Sequence, residues 1–199
     1  MHPNSKFAWE DETAMRAFVN RAAFAQIVAV TDGKPTSAQA PLVIAPDGSA
    51  RFHLARANRL APLLDGAKVL ASVVGTHFYV SPDWYGTEDQ VPTWNYRLVE
   101  IEGVARRLDE VELRDLLDRL SAAQEAELAP KPAWTSAKMD QPKLDRMIGA
   151  IVGFAIQAPS FGGVIKMGQN KSKAERRSAV AALRALGKHA EADEMEQML

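Results

Sequence analysis

No cysteine occurs among the 199 residues. Disulfides, thiolate metal sites and cysteine nucleophiles are therefore excluded, and a reducing cytosol suits the composition. An excess of charge of either sign is also missing. The 24 Lys and Arg nearly cancel the 25 Asp and Glu, leaving a net charge of −1, so the whole molecule has no pull toward nucleic acid or anionic membrane. No apolar run approaches the ~20 residues that cross a bilayer. The opening Met-His-Pro-Asn-Ser-Lys-Phe lacks the apolar stretch of a signal peptide. There is no G-x-S-x-G elbow, no G-x-G-x-x-G after a strand and no P-loop. His2, His53, His77 and His189 are scattered, without metal-ligand spacing. These absences predict a cytoplasmic protein with no membrane segment and no metal centre of its own.

The apolar fraction, 47%, is ample for a core, and the length predicts a single domain over residues 1–199. Aromatic residues are only 7% of the chain, but two of the four tryptophans and all three tyrosines fall between residues 77 and 99. Pro82 and Pro92 keep that stretch from being helical. It reads as a strand ending near Ser81, a loop to Val91 and a strand from Thr93. Flat rings with polar tips, interleaved with His77, Ser81, Thr93 and Asn95, suit either a planar polar ligand or a well-packed hairpin.

In chain order, residues 10–22 read as an amphipathic helix with acids in its first turn. Strands are predicted at 24–31, 35–44 and 50–54, joined by turns at Asp32-Gly33 and Pro46-Asp47-Gly48. Residues 60–64 form a short helix-like piece. Residues 68–74 are a strand that Gly75 breaks, and 93–108 form a long strand. Alternating patterns and short turns point to a closed or partly closed antiparallel barrel, in a mainly β, α+β fold. A strong amphipathic helix covers 109–128, with Asp109 and Glu112 as a capping box. A proline-containing loop with Trp134 spans 129–142, a short helix 144–148, and a last strand 151–158. A helix follows Ser172, whose capping-box partner is Glu175, and a polar one ends the chain. The barrel thus occupies about 24–108 and 151–165, with helical additions at 10–22, 109–128 and 172–199.

Four stretches could carry chemistry. His53, Arg56, Asn58 and Arg59 follow the third strand, as a phosphate cradle or as solvated arginines and a capping amide. The strand 36–42 is small and polar. A flat ring could lie against it and be read by its backbone, or it could be an edge strand protected against pairing. The aromatic hairpin is the third. The fourth is Lys166-Met167-Gly168-Gln169-Asn170-Lys171-Ser172; the cap at Ser172 does not account for its lysines or amides. Lys166, Lys171, Lys173, Arg176 and Arg177 are locally basic, which reads first as a solvated face and second as a nucleic-acid patch.

Together, Ser81-Pro82-Asp83-Trp84-Tyr85, Val91-Pro92-Thr93-Trp94-Asn95-Tyr96, His53-Leu54-Ala55-Arg56-Ala57-Asn58 and the 166–172 segment resemble the PaiB-type FMN-binding negative transcriptional regulators, over nearly the whole chain. The resemblance implies an antiparallel split β-barrel of the FMN-binding type, a homodimer, and FMN at the dimer interface. By position, Ser37, Ala38, Gln39, Ala40 and Pro41 would lie against the isoalloxazine, beside His53 and Leu54. Asn58 and Arg59 would hold the phosphate. Trp94 and Asn95 would contribute from the interface, and Lys166, Gln169 and Asn170 would close the site. Gln39 stands where members often have His, so it can hydrogen-bond but cannot carry a proton or ligate iron. Arg59 stands where members often have Pro, and adds a cation near the phosphate. The alternative is a flavin-dependent oxidoreductase of the flavin-reductase or pyridoxamine-phosphate-oxidase kind, with a small-molecule substrate or NAD(P)H as partner; Tyr79, Tyr85 and His77 are its candidate acids. Direct DNA binding ranks last, because no helix-turn-helix is visible and the surface is not basic.

Overall fold

The computed structural model describes residues 2–31 and 33–199. In chain order the elements are β1 (Ala8–Trp9), α1 (Glu12–Ala22), β2 (Phe24–Thr31), β3 (Lys34–Ile44), β4 (Ala50–Ala55), β5 (Lys68–Val80), β6 (Thr93–Arg107), α2 (Glu110–Ala126), α3 (Gln141–Gly149), β7 (Ile151–Lys166), α4 (Lys173–Ala185) and α5 (His189–Glu196). The strands form one sheet in the order β1-β7-β4-β3-β2-β5-β6, and β6 pairs again with β7. That closure gives the antiparallel split barrel of an α+β fold. Asp32, half of the expected β2–β3 turn, lies outside the described residues.

Contacts gather into two compact units, residues 12–73 with 100–161, and residues 74–99 with 162–199 and the segment before residue 12. In the larger unit, alternation decides which side chains face in. Ala25, Ile27 and Ala29 of β2 are buried, as are Ala38, Ala40 and Leu42 of β3 and Phe52 and Leu54 of β4. Phe52 stacks on Phe154 of β7, with ring centroids 5.5 Å apart. A Cβ at Gly103 would stand 2.5 Å from Ile156 Cγ2, so β6 approaches β7 there as closely as only glycine allows. Outside the strands, Leu113, Leu116 and Leu120 of α2 and Ile148 of α3 cover Val43 and Ala155.

The α2 helix starts where its capping box places it. Asp109 Oδ1 accepts the Glu112 N–H at 2.8 Å. Glu112 Oε2 accepts the Asp109 N–H at 3.0 Å. Ser172 and Glu175 repeat the arrangement at α4. The helix α3 begins earlier than the loop reading allowed. Asp140 caps it and Pro142 sits in its first turn, where a missing N–H costs nothing.

Two strands run longer than the sequence pattern predicts, past Gly75 and past Ala158. Gly75 does not break β5. Instead the buried side chains shift phase there, from Val69, Ala71 and Val73 to Phe78 and Val80. Likewise β7 continues through Ala158, which takes a φ of 43°, an irregularity that bends a strand without ending it. In the smaller unit, Phe78, Val80, Tyr85 and Met167 pack with Val180, Leu183 and Met195 from α4 and α5. The strand β1, too short to read from sequence, pairs Ala8 with Val164 and Trp9 with Gly163.

Candidate functional site

Proline shapes the larger unit's most open backbone. The β3–β4 ladder runs from Ile44↔Ala50 to Leu42↔Phe52 and stops at Pro41, which has no N–H to donate. From Pro41 back to Lys34, β3 pairs only with β2. The Leu42 N–H donates to Ala23 C=O, toward β2, at 3.0 Å. Backbone groups alternate between a strand's two edges, so those of Ser37 and Gln39 face the other edge, where no strand pairs with them. The side chains alternate too: Ala38 and Ala40 are buried, whereas Ser37 and Gln39 are exposed. The small, polar composition of this strand therefore leaves a row of peptide groups unobstructed.

The outward face beside that edge alternates apolar and polar rows. Ser37 lies opposite Val28, which lies opposite Leu70. Gln39, Gln26 and Ser72 form the next row. Phe24 and Val30 of β2 are 55% and 66% exposed. The sequence carried the signal: β2 is apolar on both faces, the pattern of a strand covered on both.

His53 also faces outward, toward α2. It lines a hollow of ≈ 440 Å³ together with Pro41, Phe24, Leu120 and Trp134. Its Nδ1 is buried without a hydrogen-bond partner among the described residues, and burial holds the ring's pKa below its ordinary 6.5. Leu54 next to it is buried in the barrel. Trp134 and α2 were not foreseen as part of this wall; a tryptophan inside a proline-containing loop was the available sign.

The cradle after β4 divides into spent and free groups. Arg56 is spent: its Nε donates to Gly149 C=O at 2.9 Å and its Nη2 to Ile151 C=O at 3.0 Å. Asn58 is half spent. Its Oδ1 accepts the Leu60 N–H at 2.9 Å, which leaves its Nδ2 available. Arg59 is exposed, and its guanidinium has no partner among the described residues.

In the smaller unit, β6 turns adjacent residues to opposite sides. Trp94 is 56% exposed, and its ring meets Tyr79 edge-on with centroids 6.2 Å apart. His77 lies 6.4 Å from it. Asn95 is buried, with Nδ2 3.9 Å from Met195 Sδ and no partner for Oδ1 among the described residues. Lys166 donates to Thr93 Oγ1 and Trp94 C=O, and partial burial lowers its pKa. The Gln169 amide staples its own loop, accepting from Met167 N–H at 2.7 Å and donating to Ile165 C=O at 2.8 Å. Asn170 is exposed. Of the five cations in the basic stretch, three turn inward: Lys166 as described, Lys171 to Gln90 Oε1 and Arg176 to Met198 C=O.

Residues 1–160 match the family described as "Putative FMN-binding domain". The chain is 28% identical over 170 residues to "Protease synthase and sporulation protein PAI 2" of Bacillus subtilis (strain 168), a match covering 83% of this chain and 81% of that protein. It is similar in structure to the FAD and heme binding protein from Mycobacterium smegmatis, with a TM-score of 0.62, 16% identity, and 88% of this chain and 79% of that one covered. The flavocytochrome Anf3 from Azotobacter vinelandii gives a TM-score of 0.60 at 16% identity, covering 84% of this chain and 73% of that one.

Proposed function

The chain belongs to the family of FMN-binding domains, and from that membership we propose a homodimeric flavoprotein that holds FMN along the free edge of β3, at a surface shared by two copies. The observation that carries this reading is the ladder's end at Pro41. An isoalloxazine has donors and acceptors along one rim, and the peptide groups of Ser37 and Gln39 offer matching partners with only small side chains around them. Ala38 and Ala40 would support that rim only from within, since their side chains are buried and their peptide groups face β2, and Leu54 does the same from β4, paired with Val152 of β7. Asn58 Nδ2 and the Arg59 guanidinium fit the phosphate. In the smaller unit, Trp94 and Asn170 present a ring and an amide suited to flavin, and Lys166 holds Thr93 and the Trp94 carbonyl. The amides of Asn95 and Gln169 are turned to Met195 and to their own loop, which makes them supports for those contacts. The apolar side chains of Phe24, Val28 and Leu70 on the outer face support a second copy as the partner.

Bound FMN would supply hydride or electron transfer; the protein would supply orientation and the dipoles at the flavin rim. Donors there favour reduced flavin, and this specific feature supports the second reading, an oxidoreductase using NAD(P)H and a small molecule. The Bacillus subtilis relative is named for protease synthesis and sporulation. Any such effect of this chain is taken as indirect, because most cations of its basic stretch are spent internally.

The test is an absorption spectrum of the purified protein, followed by titration with FMN. Bound flavin gives a yellow protein or saturable quenching of flavin fluorescence. A colourless protein that does not quench added FMN overturns the reading. Stopped-flow mixing of the loaded protein with NADH or NADPH then separates the two versions: bleaching supports the oxidoreductase, and persistent colour with both removes it.

A further inference from the structure

Beneath residues 129–140, on the outer face of β4, a second hollow opens, and we propose that it binds a flat, largely apolar small molecule carrying one hydrogen-bond donor. Its volume is ≈ 380 Å³, inside the range of about 300–1,000 Å³ common for small-molecule sites. Leu117 of α2, Leu144 and Met147 of α3, and Trp134 and Met139 from the covering segment make its walls. An indole and two thioethers are good neighbours for an aromatic ring, which they meet edge-on or through polarisable sulfur.

The wall's polar residues are His53, Arg114, Asp118, Ser121 and Ser136, and the Arg114 guanidinium is held by Glu110 and Asp145. Among the described residues the His53 ring has no hydrogen-bond partner, and Nδ1 is buried. Burial favours the uncharged imidazole, which keeps one bare lone pair. A ligand O–H or N–H aimed at Nε2, the ring nitrogen that is not buried, would pair it, whereas a ligand without a donor leaves it unpaired at a cost. The Ser136 hydroxyl is spent on Asp118 Oδ1 at 3.1 Å, which leaves the Asp118 carboxylate as a second acceptor whose part the His53→Phe variant separates from that of His53. The hollow shares His53, Leu117, Ser121 and Trp134 with the one that reaches Pro41, so its occupant would sit close to the free β3 edge. The inference does not rest on the flavin reading: apart from His53, none of the walls is a residue assigned to FMN.

Calorimetric titration of the full chain with 2-naphthol and with 2-methoxynaphthalene tests it. One 2-naphthol should bind per chain, and the methoxy compound, which lacks the donor, should bind roughly tenfold more weakly. His53→Phe should abolish that difference. Leu117→Trp, filling the hollow, should abolish binding of both. Ser121→Trp fills it from a second position, so the result does not hang on one variant folding, and circular dichroism melts identify any that do not. The inference is overturned if wild type fails to bind 2-naphthol, if it binds the two compounds equally, or if both filled variants bind undiminished. An FMN titration of the same samples keeps the two readings apart. A chain that takes up FMN but ignores 2-naphthol sinks this inference alone.

Discussion

His53 and the three polar residues that follow it show what a single side chain can be spent on. Folding lowers the His53 pKa from 6.5 by burial, so the folded chain binds its proton less readily than the unfolded chain. The stability this residue contributes is therefore complete above pH 6.5 and declines as pH falls below that value. Urea unfolding at pH 7.5 and pH 5.5 should show a smaller loss for His53→Gln than for wild type; equal losses would mean the imidazole is not held neutral by the fold. Arg56 and Arg59 should separate just as cleanly. Arg59→Ala should weaken FMN by roughly tenfold while leaving riboflavin, which lacks the phosphate, unaffected. Arg56→Ala should lower the melting temperature without distinguishing the two ligands, since its guanidinium holds Gly149 and Ile151 carbonyls. In the sequence these arginines were equivalent neighbours. What distinguishes them is a pair of carbonyls 93 and 95 residues away, which no local pattern encodes. The same holds for Gln169 and Asn95, whose amides the fold directs to a loop backbone and a methionine.

Elements were far more legible, because their signals are local. The β2 strand has the ends its pattern assigns, from Phe24 to Thr31, and both capping boxes form as the spacing requires. The exceptions are Gly75, which does not break β5, and the strand bounded at Ala158, which runs on to Lys166. Pairing with neighbours holds an irregular residue inside a strand when enough ladder lies on either side. The start of α2 lends itself to measurement. Arg106 donates to both Glu112 oxygens, at 2.9 Å and 2.6 Å, and that contact chiefly lowers the Glu112 pKa to about 2 from 4.5. The carboxylate's contribution is thus fully present above pH 4.5 and is lost as pH falls through about 2. Glu112→Ala should cost about 1 kcal/mol at pH 7, with the difference from wild type shrinking toward pH 2. A constant difference across that range would refute the linkage.

At the scale of the whole molecule the decisive surface is the outer face of β2, β3 and β5. Barrel closure leaves one face of each strand outside, and in the larger unit α2 covers that face over Val43 and Ala155, while Phe24 and Val30 stay exposed. Phe24, Val28, Val30 and Leu70 put large apolar side chains on that outer face, divided by the polar row of Gln39, Gln26 and Ser72. A second copy would cover that face, and by twofold symmetry would bring two free β3 edges to one seam. Val28, between Ser37 and Leu70, is the most economical place to break that arrangement. It is half exposed, so Val28→Lys adds a charge on the outside without burying one in the barrel. Sedimentation should show wild type at twice the chain mass and Val28→Lys at the chain mass, with an unchanged circular dichroism spectrum. If FMN sits at the shared surface, the monomeric variant should also lose flavin, and it should regain both pairing and colour together as protein concentration is raised. A monomer that keeps its flavin would place the site within one chain, and a variant that stays dimeric would put the interface elsewhere.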